Sequence, residues 1–113
     1  MGKAALQLKL NSSLAAEAYN LKVDEKQITI EAARPAGFFY ALQTLQQLLP
    51  TRAVLAGKAV GEDVKLTLPA VSVSDAPKFG WRGFMLDEGR HFYGKEEIKK
   101  VLDVMAAYKM NRF

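Results

Sequence analysis

Residues Trp81 to Phe113 read as an apolar strand, a loop, an amphipathic helix and the opening of a second strand. That succession is the repeating unit of a parallel β/α fold, and such a fold cannot close around a single unit. Trp81 to Leu86 is nearly continuous in apolar side chains apart from Arg82, as in a strand buried on both faces of a parallel sheet. Ile98, Val101, Leu102, Met105 and Tyr108 then fall at the i, i+3, i+4, i+7 spacing of a helix, and Met110 to Phe113 would begin the next parallel strand. The chain is therefore expected to hold a small domain followed by the first unit of a truncated β/α barrel.

Upstream the periodicity is different. Leu6, Leu8 and Leu10 alternate with polar residues, as do Tyr19, Leu21 and Val23, and then Ile28, Ile30 and Ala32. The polar run Asp24-Glu25-Lys26 between the last two sets predicts a hairpin. Pro35 suits the first turn of a helix whose Phe38, Phe39, Leu42, Leu45 and Leu49 would lie on the sheet, with Pro50 ending the run. Thr51 to Asp63 reads as a loop, and Val64, Leu66 and Leu68 as a fourth strand. Pro69 and Pro77 bracket an extended connector.

With 113 residues there is room for one ordinary domain, or a smaller one and a fragment. Half the residues are apolar and a quarter charged, a globular composition. The absence of cysteine excludes a disulfide framework and a thiolate metal site, and is compatible with any compartment. No apolar run is long enough to span a bilayer, and the start lacks the pattern of a signal peptide. The net charge of +4 does not point to nucleic acid, because the bases are interleaved with acids. Lys95, Lys99 and Lys100 share their helix with Glu96, Glu97 and Asp103, the pattern of a solvated face.

The loop before that helix carries the chemistry. Gly89 to Lys95 matches the G-x-x-x-x-G-K phosphate-loop pattern, but Glu96 stands where Ser or Thr would hold magnesium, and the Arg-His-Phe-Tyr interior is too bulky to wrap phosphates. Asp87 and Glu88 are adjacent, hence poorly placed to flank one bond, so Asp87 is expected to anchor the loop and Glu88 to be solvated. His91 is the only histidine, which leaves no histidine cluster for a metal; beside aromatics it reads as structural. Arg90 lies where a barrel strand gives way to its loop, the face on which such barrels build active sites. Its guanidinium can donate to hydroxyls or carboxylates in a fixed fork, or form a structural pair with Asp87 or Glu88; spacing alone leaves both open.

At this loop the chain resembles the β-N-acetylhexosaminidases of glycoside hydrolase family 20. The residues that carry the resemblance are Pro77, Phe79, Trp81-Arg82-Gly83, Met85-Leu86-Asp87, Arg90-His91-Phe92, Tyr108-Lys109-Met110-Asn111 and Phe113. Ala36-Gly37-Phe38-Phe39-Tyr40-Ala41-Leu42-Gln43-Thr44-Leu45-Gln46-Gln47-Leu48 is similar to the helix of the family's non-catalytic α+β domain. Gly94, where a small polar cap is common in the family, and Ala41, where glycine is frequent, are modest departures.

The resemblance implies an α+β fold: an antiparallel sheet of about four strands with one packed helix over residues 1–76, then a truncated first β/α unit of a TIM barrel over 77–113. It implies removal of terminal N-acetylglucosamine or N-acetylgalactosamine from glycans, with the substrate's own acetamido oxygen as nucleophile and no cofactor. Of the family's site residues, Arg90 alone maps onto the chain, as a ligand of the terminal sugar's hydroxyls. The acid and the acetamido-orienting aspartate belong to a later strand, so the fragment is expected to be inactive and to self-associate through its unpaired barrel segment. The parent is expected to be exported, with no nucleic-acid or membrane partner. The alternative is a stand-alone α+β interaction module whose C-terminal segment completes its own core.

Overall fold

The computed structural model describes residues 5–49 and 67–113. The chain divides into two compact units, Met1–Pro77 and Lys78–Phe113. The first contains strands β1 (Ala5–Leu10), β2 (Tyr19–Val23) and β3 (Gln27–Ala32), helix α1 (Pro35–Gln47) and strand β4 (Val71–Asp75). The second contains helix α2 (Lys95–Ala107). The class is α+β.

β2 and β3 form the expected antiparallel hairpin, with Leu21 opposite Ile30. Asp24 makes the turn: its Oδ1 accepts the amides of Lys26 and Gln27, each at 2.9 Å. The sheet is mixed rather than antiparallel, however, in the order β1-β3-β2-β4, because β1 pairs parallel with β3. Both Leu10 and Tyr19 lie opposite Ala32, so the segment between them carries the chain past the end of β3 instead of turning back beside β1. Alternation tells which face a side chain occupies, not which strand lies next to it.

The fourth strand is also displaced from its expected position. Val64 and Leu66 lie outside the described residues, and Leu68 packs against the core without belonging to a strand. The bracketed connector is itself β4, antiparallel to β2 with Val73 opposite Leu21. Prolines 69 and 77 flank this edge strand and so remove no ladder donor from it.

Tyr19, Leu21, Val23, Ile30 and Ala32 form the buried sheet face, and Tyr40 and Ala41 of α1 close over it. Pro35 opens the helix as expected. The face turned inward differs from the expected one: Phe38, Leu45 and Leu48 pack on the core, whereas Phe39 and Leu42 are exposed. Close approach decides this. A Cβ on buried Gly37 would stand 2.4 Å from the Ala18 carbonyl oxygen and 2.8 Å from Ala32 Cβ, so the helix must present its smallest residue there. The hydroxyl of buried Tyr19 donates to Asp75 Oδ2 at 2.8 Å and shares a 2.6 Å hydrogen bond with Thr44 Oγ1, tying β2 to β4 and α1.

In the second unit the expected strand Trp81 to Leu86 is reduced to a single parallel bridge, Gly83 to Arg112. Phe84 donates to the Arg112 carbonyl at 3.0 Å, and Asn111 and Arg112 donate to that of Arg82 at 2.9 and 3.2 Å. A ladder needs partners along its length, and among the described residues the Trp81 to Leu86 segment pairs only with 111–112. Met105 is the buried residue of α2. The helix ends in a Schellman turn, with Lys109 at φ 56° and Met110 donating back to the Met105 carbonyl at 2.9 Å.

Candidate functional site

Arg82, the lone charge in an apolar run, organises the base of the loop. Its Nε donates to the Lys109 carbonyl at 2.8 Å and its Nη1 to that of Phe79 at 2.6 Å, so its cation is spent on backbone rather than left to bind a ligand. Asn111 answers from the opposite segment. Its Oδ1 accepts the Arg82 amide at 3.0 Å and its Nδ2 donates to the Gly80 carbonyl at 2.9 Å. Together these bonds fix where the chain leaves the bridge and enters the loop toward α2.

The loop is then shaped by two carboxylates. Asp87 Oδ1 accepts the amides of Gly89 at 2.9 Å and Arg90 at 3.1 Å, the anchoring role expected from sequence. Glu88 departs from the expected solvated residue: Oε2 accepts the Tyr93 amide at 3.1 Å, and Oε1 is shut from solvent without a hydrogen-bond partner among the described residues. Gly94, with φ 82°, makes the turn into α2 in a conformation that side chains resist.

Arg90 is the outward group. It pairs with Asp87, not Glu88, with Nε 3.4 Å from Oδ2, and 90% of its side chain remains exposed. The His91 ring meets the Tyr93 ring edge-on at 4.7 Å. The amides a phosphate would need at Gly89, Arg90 and Tyr93 are already taken by carboxylates, and Glu96 and Glu97 occupy the first turn of α2. The resemblance to a phosphate loop is thus one of spelling only.

Glu88, Arg82 and Asn111 were not singled out from sequence as site-forming residues. Arg82 carried a usable signal, since a charge inside an apolar run must find partners. Nothing local marked Asn111, whose partners lie about 30 residues away.

Residues 79–113, which contain this loop, match the description "Glycosyl hydrolase family 20, catalytic domain". Residues 1–76 match "Glycosyl hydrolase family 20, domain 2". The chain belongs to glycosyl hydrolase family 20. It is 43% identical over 100 residues to a β-hexosaminidase of Porphyromonas gingivalis, covering 88% of this chain and 12% of that protein. It is 34% identical over 110 residues to a β-N-acetylhexosaminidase of Cellulomonas fimi, covering 96% and 20% respectively. Among solved structures, the family 20 β-N-acetylhexosaminidase of Streptomyces coelicolor superposes with a TM-score of 0.85 at 33% identity, covering 98% of this chain and 22% of that one. The chain therefore spans a fifth or less of the curated family members named here.

Proposed function

We propose that these residues belong to a β-N-acetylhexosaminidase that removes terminal N-acetylglucosamine or N-acetylgalactosamine from glycans, and that Arg90 binds hydroxyls of the terminal sugar. The observation that carries this is the presentation of Arg90: a guanidinium almost fully open to solvent, on a loop clamped from beneath, inside the segment that matches the family's catalytic domain. A fixed fork of N–H donors suits adjacent sugar hydroxyls. Such bonds contribute to catalysis to the extent that they hold the reacting sugar better in the transition state than in the ground state.

On this reading residues 77–113 open a β/α barrel, and residues 1–76 form a non-catalytic domain ahead of it. The parallel bridge from Gly83 to Arg112 around α2 supports the first part. The chemistry is that of substrate-assisted retention, in which the acetamido oxygen attacks the anomeric carbon while a carboxylic acid protonates the leaving group. Here Asp87 and Glu88 are both engaged with backbone amides, so neither is placed as that acid. The 113 residues by themselves would not hydrolyse glycosides.

An open groove of about 460 Å³ is lined by Phe84, Leu86, Tyr93, Val101, Val104 and Met105. In the whole enzyme this apolar surface would be covered by the next barrel unit; in the isolated chain it favours self-association. The test is hydrolysis of chromogenic N-acetylglucosaminide and N-acetylgalactosaminide by this chain and by the longer enzyme that carries it. Activity in the longer protein alone is the expected result. An inactive longer protein would leave the family fold without this chemistry.

A further inference from the structure

Arg90 is held from one side by Asp87, and the far side of its loop is held by Glu88. We infer that Glu88 is a positioning residue for Arg90, closing the loop that presents the guanidinium; this rests on the reading of Arg90 as a sugar ligand. The Glu88 carboxylate reaches across the loop to the Tyr93 amide at 3.1 Å, so Arg90 lies within the span that this bond closes. Asp87 binds the amides of residues 89 and 90 and fixes the approach to Arg90, while Glu88 fixes the return. Removing the second clamp leaves Arg90 anchored from its N-terminal side alone.

Two further observations support the assignment. Among the described residues Glu88 Oε1 is cut off from solvent and has no hydrogen-bond partner, an arrangement that a merely solvated surface glutamate would avoid. The arrangement is understandable if the other oxygen is needed where it is. Secondly, the residue that Glu88 holds is the one whose ring packs against His91, the immediate neighbour of Arg90. The bond to Tyr93 thereby restrains both the backbone beyond Arg90 and the side chain next to it. Among the described residues the Arg90 side chain is held only by the exposed pair with Asp87.

A misplacement of the guanidinium by a fraction of an ångström would weaken its hydrogen bonds to a bound sugar without removing the charge. Glu88 therefore acts through Arg90, and its effect vanishes when Arg90 is absent. The experiment is a double-mutant cycle in the longer enzyme, using kcat and KM for a chromogenic N-acetylglucosaminide, with E88A, E88Q, R90A and the double variant E88A/R90A. E88Q keeps an acceptor oxygen for the Tyr93 amide and is expected to stay within about twofold of the wild type, whereas E88A loses about three- to tenfold in kcat/KM, mostly through KM. In the R90A background E88A should cost nothing further. A second readout, amide exchange at Tyr93 in the 113-residue chain, should accelerate in E88A and not in E88Q.

If R90A is impaired while E88A matches the wild type, or if the two losses multiply, the inference is overturned and the reading of Arg90 stands. If R90A itself matches the wild type, the reading of Arg90 falls and the inference falls with it. Slow Tyr93 exchange in E88A would overturn the clamp whatever the kinetics.

Discussion

The Arg90 guanidinium stands 3.4 Å from the Asp87 carboxylate with nine-tenths of its side chain in solvent, while the same carboxylate accepts two backbone amides. The two interactions differ in worth. An exposed ion pair contributes about 0–1 kcal/mol, whereas loss of a side-chain acceptor for turn amides costs about 0.5–2 kcal/mol. R90A should therefore leave the urea midpoint of the chain unchanged, and D87A should lower it. Equal destabilisation by both would mean that Arg90 serves the fold rather than a ligand.

Tyr19 joins β2 to β4 and α1 through one hydroxyl. Y19F keeps the buried ring and removes the hydroxyl together with its bonds to Thr44 and Asp75. The expected loss is about 1–2 kcal/mol of unfolding free energy, measured by urea denaturation. A loss below about 0.3 kcal/mol would show that the bonds add little beyond packing.

Gly37 allows α1 to approach the backbone of Ala18 and the side chain of Ala32. Although alanine favours a helix interior, G37A should destabilise by about 1–3 kcal/mol, because its methyl would overlap a carbonyl oxygen that cannot withdraw freely. Lys109 presents the opposite case, a side chain in the left-handed region at φ 56°. K109G should stabilise by about 0.5–1 kcal/mol, readable in the same denaturation experiment.

The amides of Lys26 and then Gln27 hold the Asp24 carboxyl below the ordinary aspartate value. Because its folded value lies below its unfolded one, its contribution to stability is complete above the unfolded value, about pH 4, and is lost as pH falls through the folded value. D24N should flatten that part of the acid limb. An unchanged acid profile in D24N would assign the limb to other carboxylates.

Legibility from sequence followed the range of the interactions. The β2–β3 hairpin and the start of α1 depend on neighbours in sequence, such as the Asp24 turn and Pro35, and the structure has both. The parallel pairing of β1 with β3 and the strand character of Val71–Asp75 depend on which strands meet, which alternation does not encode. The inward face of α1 followed the close contact at Gly37 rather than the largest apolar side chains. At the loop, the anchoring by Asp87 could be read from residue type, whereas the Glu88 bond to Tyr93 required the loop to close first. The Trp81 to Leu86 run has strand composition but, among the described residues, just one bridge, because composition supplies no pairing partner.

The most direct measurement is a crystal structure of a longer family 20 protein that contains these residues, soaked with N-acetylglucosamine. Arg90 guanidinium nitrogens are expected within about 2.7–3.2 Å of the sugar's hydroxyl oxygens, with the Asp87 and Glu88 clamps in place. A bound sugar whose hydroxyls are held by other groups, with Arg90 still turned to solvent, would contradict this.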